Sequence, residues 1–331
     1  MLARAADRAA IAEIAPRAEI AELREAGYSA GELFELASAA RRLRLDLLHL
    51  PHYLMPVAAP CPVVVTVHDL IHLRLPRTWA HRLYARWMLR RVRRGARLTL
   101  TPSRATARDL VELAGFDPLR VRVVPHGVPR AFASGAPPAG EVEGFRRRHG
   151  LRMPCALHVT NGLPHKGLDW LLRAWRGLPE VQLVLAGTGC DRLEVRARLA
   201  ADDAARAATV LLGALGDREL ALAYHAASVV VVPSLLEGFG FPALEAMASG
   251  VPVVASDAGS LPEIVGDAGV IVPAGCVDKL KNAVYTVIFA IESAKREGLI
   301  QRALARSRRF SWEEAAQVTF AAYEQALGNA P

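Results

Sequence analysis

Short runs of Val, Leu and Ile recur along the chain without the alternation of a half-exposed strand. In the second half they fall at 155–159, 181–186, 209–212, 229–232, 251–255 and 269–272. Apolar throughout, they predict strands buried on both faces, and the helical stretches between them predict a parallel sheet. The first half repeats the pattern at 47–50, 62–67, 97–101 and 121–124, with 18–23 as a further candidate. An Ala/Gly/Pro-rich stretch from 132 to 144 separates the halves. The pattern predicts an α/β protein of two doubly wound, Rossmann-like domains facing a cleft. The first covers 1–132, a linker 133–149 and the second 150–310. A terminal helix over 311–331 opens on a Ser311 cap followed by Trp312, Glu313 and Glu314. Its apolar side needs a surface to dock on, and the N-terminal domain is one of the two choices. The run 284–291 predicts one face of a buried helix. The Ala/Arg-rich 1–14 also reads as helical, with no strand before Ala18.

No apolar run approaches the ~20 residues that span a bilayer. The N-terminus carries Arg4, Asp7 and Arg8 in place of the apolar core of a signal peptide, so a cytoplasmic location is expected. Four scattered cysteines without a CxxC pair predict reduced packing residues. The net charge of +8 favours anionic partners, among which a nucleotide diphosphate, an anionic membrane and a nucleic acid are the choices.

The stretch from Pro233 to Gly250 narrows those choices. A buried strand at 229–232 runs into a loop holding Gly238 and Gly240. Pro242 then suits the first turn of a helix and Gly250 its end. Strand, glycine loop and helix in that order aim backbone N–H groups and a helix N-terminus at one point, which suits a diphosphate. Glu237 and Glu245 flank the loop. A carboxylate beside a phosphate is unfavourable unless it serves another group, and the hydroxyls of a sugar and a ribose are the obvious candidates. The plain alternative is an ordinary βα loop with two solvated glutamates.

The run Glu237 to Glu245 resembles the E-x7-E signature of the retaining family 4 glycosyltransferases. Gly250-Val251-Pro252-Val253-Val254-Ala255-Ser256, Gly259-Ser260-Leu261-Pro262-Glu263-Ile264-Val265, Val123-Val124-Pro125-His126-Gly127-Val128 and Thr66-Val67-His68-Asp69 continue the likeness. The resemblance covers roughly 30–330 and implies the two-domain GT-B fold. It also implies transfer of a sugar from a nucleotide-sugar donor to a hydroxyl acceptor. On it, Glu237 faces the transferred sugar, and Gly238, Phe239 and Gly240 lie near the sugar and diphosphate. Glu245 holds the ribose, Lys166 neutralises the diphosphate, and His68 lies near the donor sugar. A cation and a helix terminus stabilise the leaving group most as it departs. Gly187 and Gly213 are expected either to line the base pocket or to be tight-turn glycines. His68, Asp69, His72, His49 and His52 allow a rival reading as metal ligands. The chain has no Asp-x-Asp pair, and the family generally needs no metal, so neither metal nor cofactor is expected. The resemblance implies front-face substitution. Glu237 is the one candidate for a covalent nucleophile, although its expected job is to bind hydroxyls.

Two departures qualify the likeness. Asn161 stands where many relatives carry an arginine, with His165 as a partial replacement; the first strand–loop–helix unit of a GT-B domain is also not expected from the sequence, as though the chain were truncated at its start. A catalytically impaired nucleotide-sugar-binding protein is therefore the alternative, and a GT-B sugar-nucleotide epimerase is a third. Between Arg77 and Arg108 stand ten arginines and no acid, with Arg82, Arg86, Arg90 and Arg93 on one helical face beside Trp79 and Trp87. This predicts either a solvated face or a contact with an anionic membrane, bringing a lipid-linked acceptor within reach. A nucleic-acid role is not expected.

Overall fold

The computed structural model describes residues 1–25, 29–76, 78–133 and 135–328; Arg77 of the basic segment lies outside them. Among these described residues twelve strands form three sheets, all parallel. The first half holds β1 (Leu2–Arg4), β2 (Ala21–Leu23), β3 (Leu48–Leu50), β4 (Val63–Thr66), β5 (Leu98–Thr101) and β6 (Val121–Val123). The second half holds β7 (Cys155–Val159), β8 (Gln182–Ala186), β9 (Thr209–Gly213), β10 (Val229–Val232), β11 (Val253–Ser256) and β12 (Val270–Val272).

In the second half the order is β12-β11-β10-β7-β8-β9. The direction of winding reverses between β7 and β10, so the loops leaving these two strands part to opposite sides and open a crevice at their carboxyl ends. Strand alternation fills a core on each face. Val230 and Val232 point into one, and Val229 and Val231 into the other. This is why these segments read as unbroken apolar runs. In the first half β3-β4-β5-β6 lie in sequence order. Val63 and Val65 bury on one side, while Val64, Leu98 and Leu100 bury on the other.

The helix Trp312–Leu327 covers that second side, setting Ala315, Ala322 and Ala326 against Val64, Leu98 and Leu100. Small residues let the helix lie close to the sheet. His49 fixes it through hydrogen bonds to Tyr323 Oη (2.6 Å) and Thr66 Oγ1 (2.8 Å).

Two expectations need correction. Leu2–Arg4 is a strand paired with Ala21–Leu23, and the helix is confined to Arg8–Ile14 with a 3-10 turn before it. Three strand residues among alanines leave no periodic signal. The stretch read as a linker contains the helix Ala139–His149, which inserts Val142 and Phe145 into the second domain's core. Gly140 and Gly144 hid an amphipathic pair that the left-handed Gly150 (φ 62°) terminates.

Candidate active site

The crevice at the switch point receives the loops after β7 and β10, and both carry the expected charges. Lys166 ends the 3-10 turn Pro164–Lys166. Leu235 N–H donates to the His165 carbonyl (2.7 Å), and Trp170 Nε1 donates to the Pro233 carbonyl (2.6 Å). Those bonds tie the Lys166 turn to the start of the glycine loop. Gly167 (φ 73°) makes the approach possible, because a Cβ there would sit 1.7 Å from the Pro233 oxygen. As a result Lys166 Nζ donates to Glu237 Oε1 at 2.7 Å.

Glu237 is buried, and Ser234 Oγ donates to the same Oε1 (2.7 Å). Oε2 takes no hydrogen bond from the described residues. A buried carboxylate needs such donors, since an unpaired charge in a dry site is costly. The ammonium has three N–H donors and uses one here, which leaves two for an anion.

Beyond Glu237 the loop turns sharply at Gly240 (φ 98°) into the helix Phe241–Ala248. Gly238 touches the opposite domain, where a Cβ would meet the His68 carbonyl at 2.3 Å. Here the two sheets' carboxyl ends face each other across a cavity of about 700 Å³. His68, Asn161, His165, Lys166, Glu237, Gly238, Phe239 and Gly240 all line it. Eight of the eleven residues singled out in the sequence thus come together.

The other three lie outside its lining. Glu245 is buried on the helix, where Tyr224 Oη donates to its Oε2 (2.6 Å). Burial raises the Glu245 carboxyl above its ordinary range. The Tyr224 bond opposes that shift and Asp217 adds to it. Gly187 and Gly213 meet at the ends of β8 and β9, Gly187 N–H donating to the Gly213 carbonyl at 2.8 Å. At Gly187 (φ 114°) a Cβ would press on the Thr160 oxygen at 2.3 Å, so a close turn accounts for that glycine.

Asn161 Oδ1 accepts the Leu163 N–H (3.2 Å) and shapes its own loop. His68 Nε2 donates to the Pro51 carbonyl (2.7 Å), which fixes the ring at the cavity wall. The metal reading loses His49, both of whose nitrogens are bonded. His72 Nδ1 bonds Tyr53 Oη (2.5 Å). Among the described residues no group of three or more His, Cys, Asp or Glu is placed to hold a metal ion.

Two family models match the chain. Residues 2–132 match one described as Glycosyltransferase Family 4, and residues 154–288 match one described as Glycosyl transferases group 1. The MMP alpha-(1->4)-mannosyltransferase of Mycolicibacterium hassiacum is 32% identical, over 91% of this chain and 77% of that protein. The chain belongs to the family 4 glycosyltransferases. The D-inositol 3-phosphate glycosyltransferase of Kribbella flavida is 36% identical over 66% of this glycosyltransferase, which spans only 54% of that relative. Among solved structures, the sucrose-phosphate synthase of Thermosynechococcus elongatus superposes with a TM-score of 0.78, covering 96% of this chain and 85% of that one at 22% identity. Anabaena HepE in complex with UDP-glucose gives 0.75, covering 97% and 88% at 20% identity. The architecture is GT-B.

The glycosyltransferase also places in its cavity a residue that the sequence reading left without a role. His126 lines the wall, its ring stacked on Phe241 (5.3 Å, 6°) and 5.4 Å from His68. Burial lowers this imidazole to about 4, and His68 adds to the effect, so His126 is neutral near pH 7. Its position just beyond the carboxyl end of a parallel strand, β6, is the kind of signal that pointed to His68, and the same rule finds it. Tyr224 carries no comparable signal, because nothing in the sequence brings it to Glu245.

Proposed function

We propose that this glycosyltransferase uses a nucleoside-diphosphate sugar and transfers the sugar with retention, without a metal or other cofactor. The observation that carries the reading is the Lys166–Glu237–Ser234 cluster at the glycine loop. The two remaining Lys166 donors and the loop amides would hold the diphosphate. They stabilise the charge that builds on it as the anomeric bond breaks. Glu237 Oε2 is the acceptor for a sugar hydroxyl. Glu245, with Oε1 outside the Tyr224 bond, is the acceptor for the ribose diol. The acceptor hydroxyl would attack from the face the diphosphate leaves and pass its proton to a leaving phosphate oxygen. Domain closure around the 700 Å³ cavity excludes the water that would hydrolyse the donor.

The solved neighbours in complex with UDP and UDP-glucose support a nucleotide-sugar donor, and the named relatives support a sugar-type acceptor such as a glycan or an inositol phosphate. Four free cysteines fit a reducing, cytoplasmic setting. No helix among the described residues is long and apolar enough to cross a membrane. The exposed face of the helix Trp79–Gly95 suits peripheral contact with an anionic membrane instead. Asn161 favours the alternative of a weakly active nucleotide-sugar-binding protein, since it supplies no charge to the diphosphate.

The anomeric configuration of the product, followed by NMR in the presence of EDTA, tests the reading. An α-linked donor should give an α-linked product, and Glu237→Ala should lower kcat by about 10² or more while donor binding persists. An inverted product, or activity that EDTA abolishes and a metal restores, would contradict it. Binding without turnover in the wild type would favour the alternative.

A further inference from the structure

Beside the cavity the two domains are joined by a second set of bonds. The helix Arg104–Ala114 of the first domain has its N-terminus at the interface. Its first two amides are not left to water. Arg104 N–H donates to Glu263 Oε2 (3.1 Å) and Ala105 N–H to Glu263 Oε1 (3.0 Å). Glu263 belongs to the second domain, on the helix Leu261–Val265. One carboxylate therefore bridges the domains in a fork, using both oxygens on two donors that already carry partial positive charge. One residue further along, Thr106 Oγ1 lies 3.4 Å from the Gly238 carbonyl of the catalytic loop.

Glu263 is anchored from behind. Arg306 donates from Nη2 to the Glu263 carbonyl (2.6 Å) and from Nε to the Ile264 carbonyl (2.6 Å). The same helix start grips the catalytic residue. Ser260 N–H and Oγ both approach the Glu237 carbonyl, at 3.2 and 3.3 Å. Gly259 (φ 58°) lies so close that a Cβ would stand 2.2 Å from that oxygen. A continuous set of contacts thus runs from the first domain's helix, through Glu263 and its turn, to the backbone of Glu237.

We propose that Glu263 is a positioning residue for transfer: its carboxylate clasps the helix Arg104–Ala114 and so holds the domains closed with Glu237 in register over the cavity. The proposal rests on the glycosyl-transfer reading for its kinetic consequence, but not for its structural one. Glu263 does not line the cavity, so its effect belongs to closure. Losing a clasp of two charge-assisted bonds moves the balance between closed and open forms by tenfold or more, and this appears in turnover.

Two variants approach the clasp from opposite domains. Glu263→Ala removes the acceptor. Ala105→Pro removes one donor at a helix position where this chain already accepts proline, as at Pro242 and Pro262. Glu263→Ala should lower kcat about tenfold or more, change the donor KM less than twofold and enlarge the radius of gyration measured by small-angle scattering. Ala105→Pro should act in the same direction, and the double variant should be no worse than the poorer single one. Glu263→Gln, which keeps the shape and one strong acceptor, should fall between wild type and Glu263→Ala and guards against misfolding of the alanine variant. Unchanged compactness, kcat within twofold of wild type, or losses that multiply in the double variant would overturn the proposal. Scattering needs no turnover, so a wild type that transfers no sugar would defeat the glycosyl-transfer reading and leave the clasp testable.

Discussion

His158 shows how much a single buried side chain demands of this fold. It sits on β7 with no exposure to speak of, its Nδ1 donating to the Val231 carbonyl (3.0 Å), while Nε2 is buried without a hydrogen-bond partner among the described residues. Burial lowers the imidazole from 6.5 to about 4. The Val231 bond opposes the shift and nearby Lys166 adds to it. The folded form therefore prefers neutral His158. Its contribution to stability is complete above pH 6.5 and is lost as pH falls through that value toward 4. This single residue is worth about 3 kcal/mol over that window. His49 and His126 are lowered to about 4 as well and push the same way. Urea unfolding at pH 7 and pH 4 should show a large loss in the wild type. In His158→Gln the loss should be smaller by about that amount, and an equal loss in both would count against the assignment. The sequence marked His158 only as a member of an apolar run, and its hydrogen-bond partner on β10 is visible only in three dimensions.

At the scale of elements, strands were the most legible feature. Valine runs such as Val229–Val232 bury on both faces, and the parallel sheet leaves few other ways to satisfy them. The loop from Pro233 to Gly240 was legible for a different reason: its glycines and following proline are required by backbone geometry. What was hidden depends on distance through space. The helix Ala139–His149 was masked by its glycines, and β1 by its brevity.

The helix Trp79–Gly95 carries a prediction of its own. Trp79 is 77% exposed, Leu83 54% and Trp87 48%, and these three recur at four-residue spacing as one stripe. Arg82, Arg86 and Arg90 form the exposed stripe beside it. Apolar rings flanked by guanidinium groups suit the interface of an anionic bilayer, where each basic residue contributes about 1 kcal/mol. The protein should co-sediment with phosphatidylserine-rich vesicles but not with phosphatidylcholine ones, more weakly at high salt. Arg82→Glu with Arg86→Glu should reduce binding at least about tenfold. Equal recovery with both lipids, or no effect of the double substitution, would leave the stripe as a solvated surface.

For the whole molecule, topology makes the site. Reversal of the winding between β7 and β10 brings Lys166 and Glu237 together, though 71 residues separate them. The facing sheet then supplies His68 and His126, and the clasp at Glu263 holds the halves in place. The sequence motif named the residues on each side of the cleft, whereas the closed geometry depends on contacts that no linear spacing encodes. The most direct measurement is the structure of the protein with a bound nucleoside-diphosphate sugar. The diphosphate should lie within hydrogen-bond reach of Lys166 Nζ and the Gly238–Gly240 amides, with a sugar hydroxyl on Glu237. A donor bound elsewhere, with the Lys166–Glu237 cavity unused, would contradict the account.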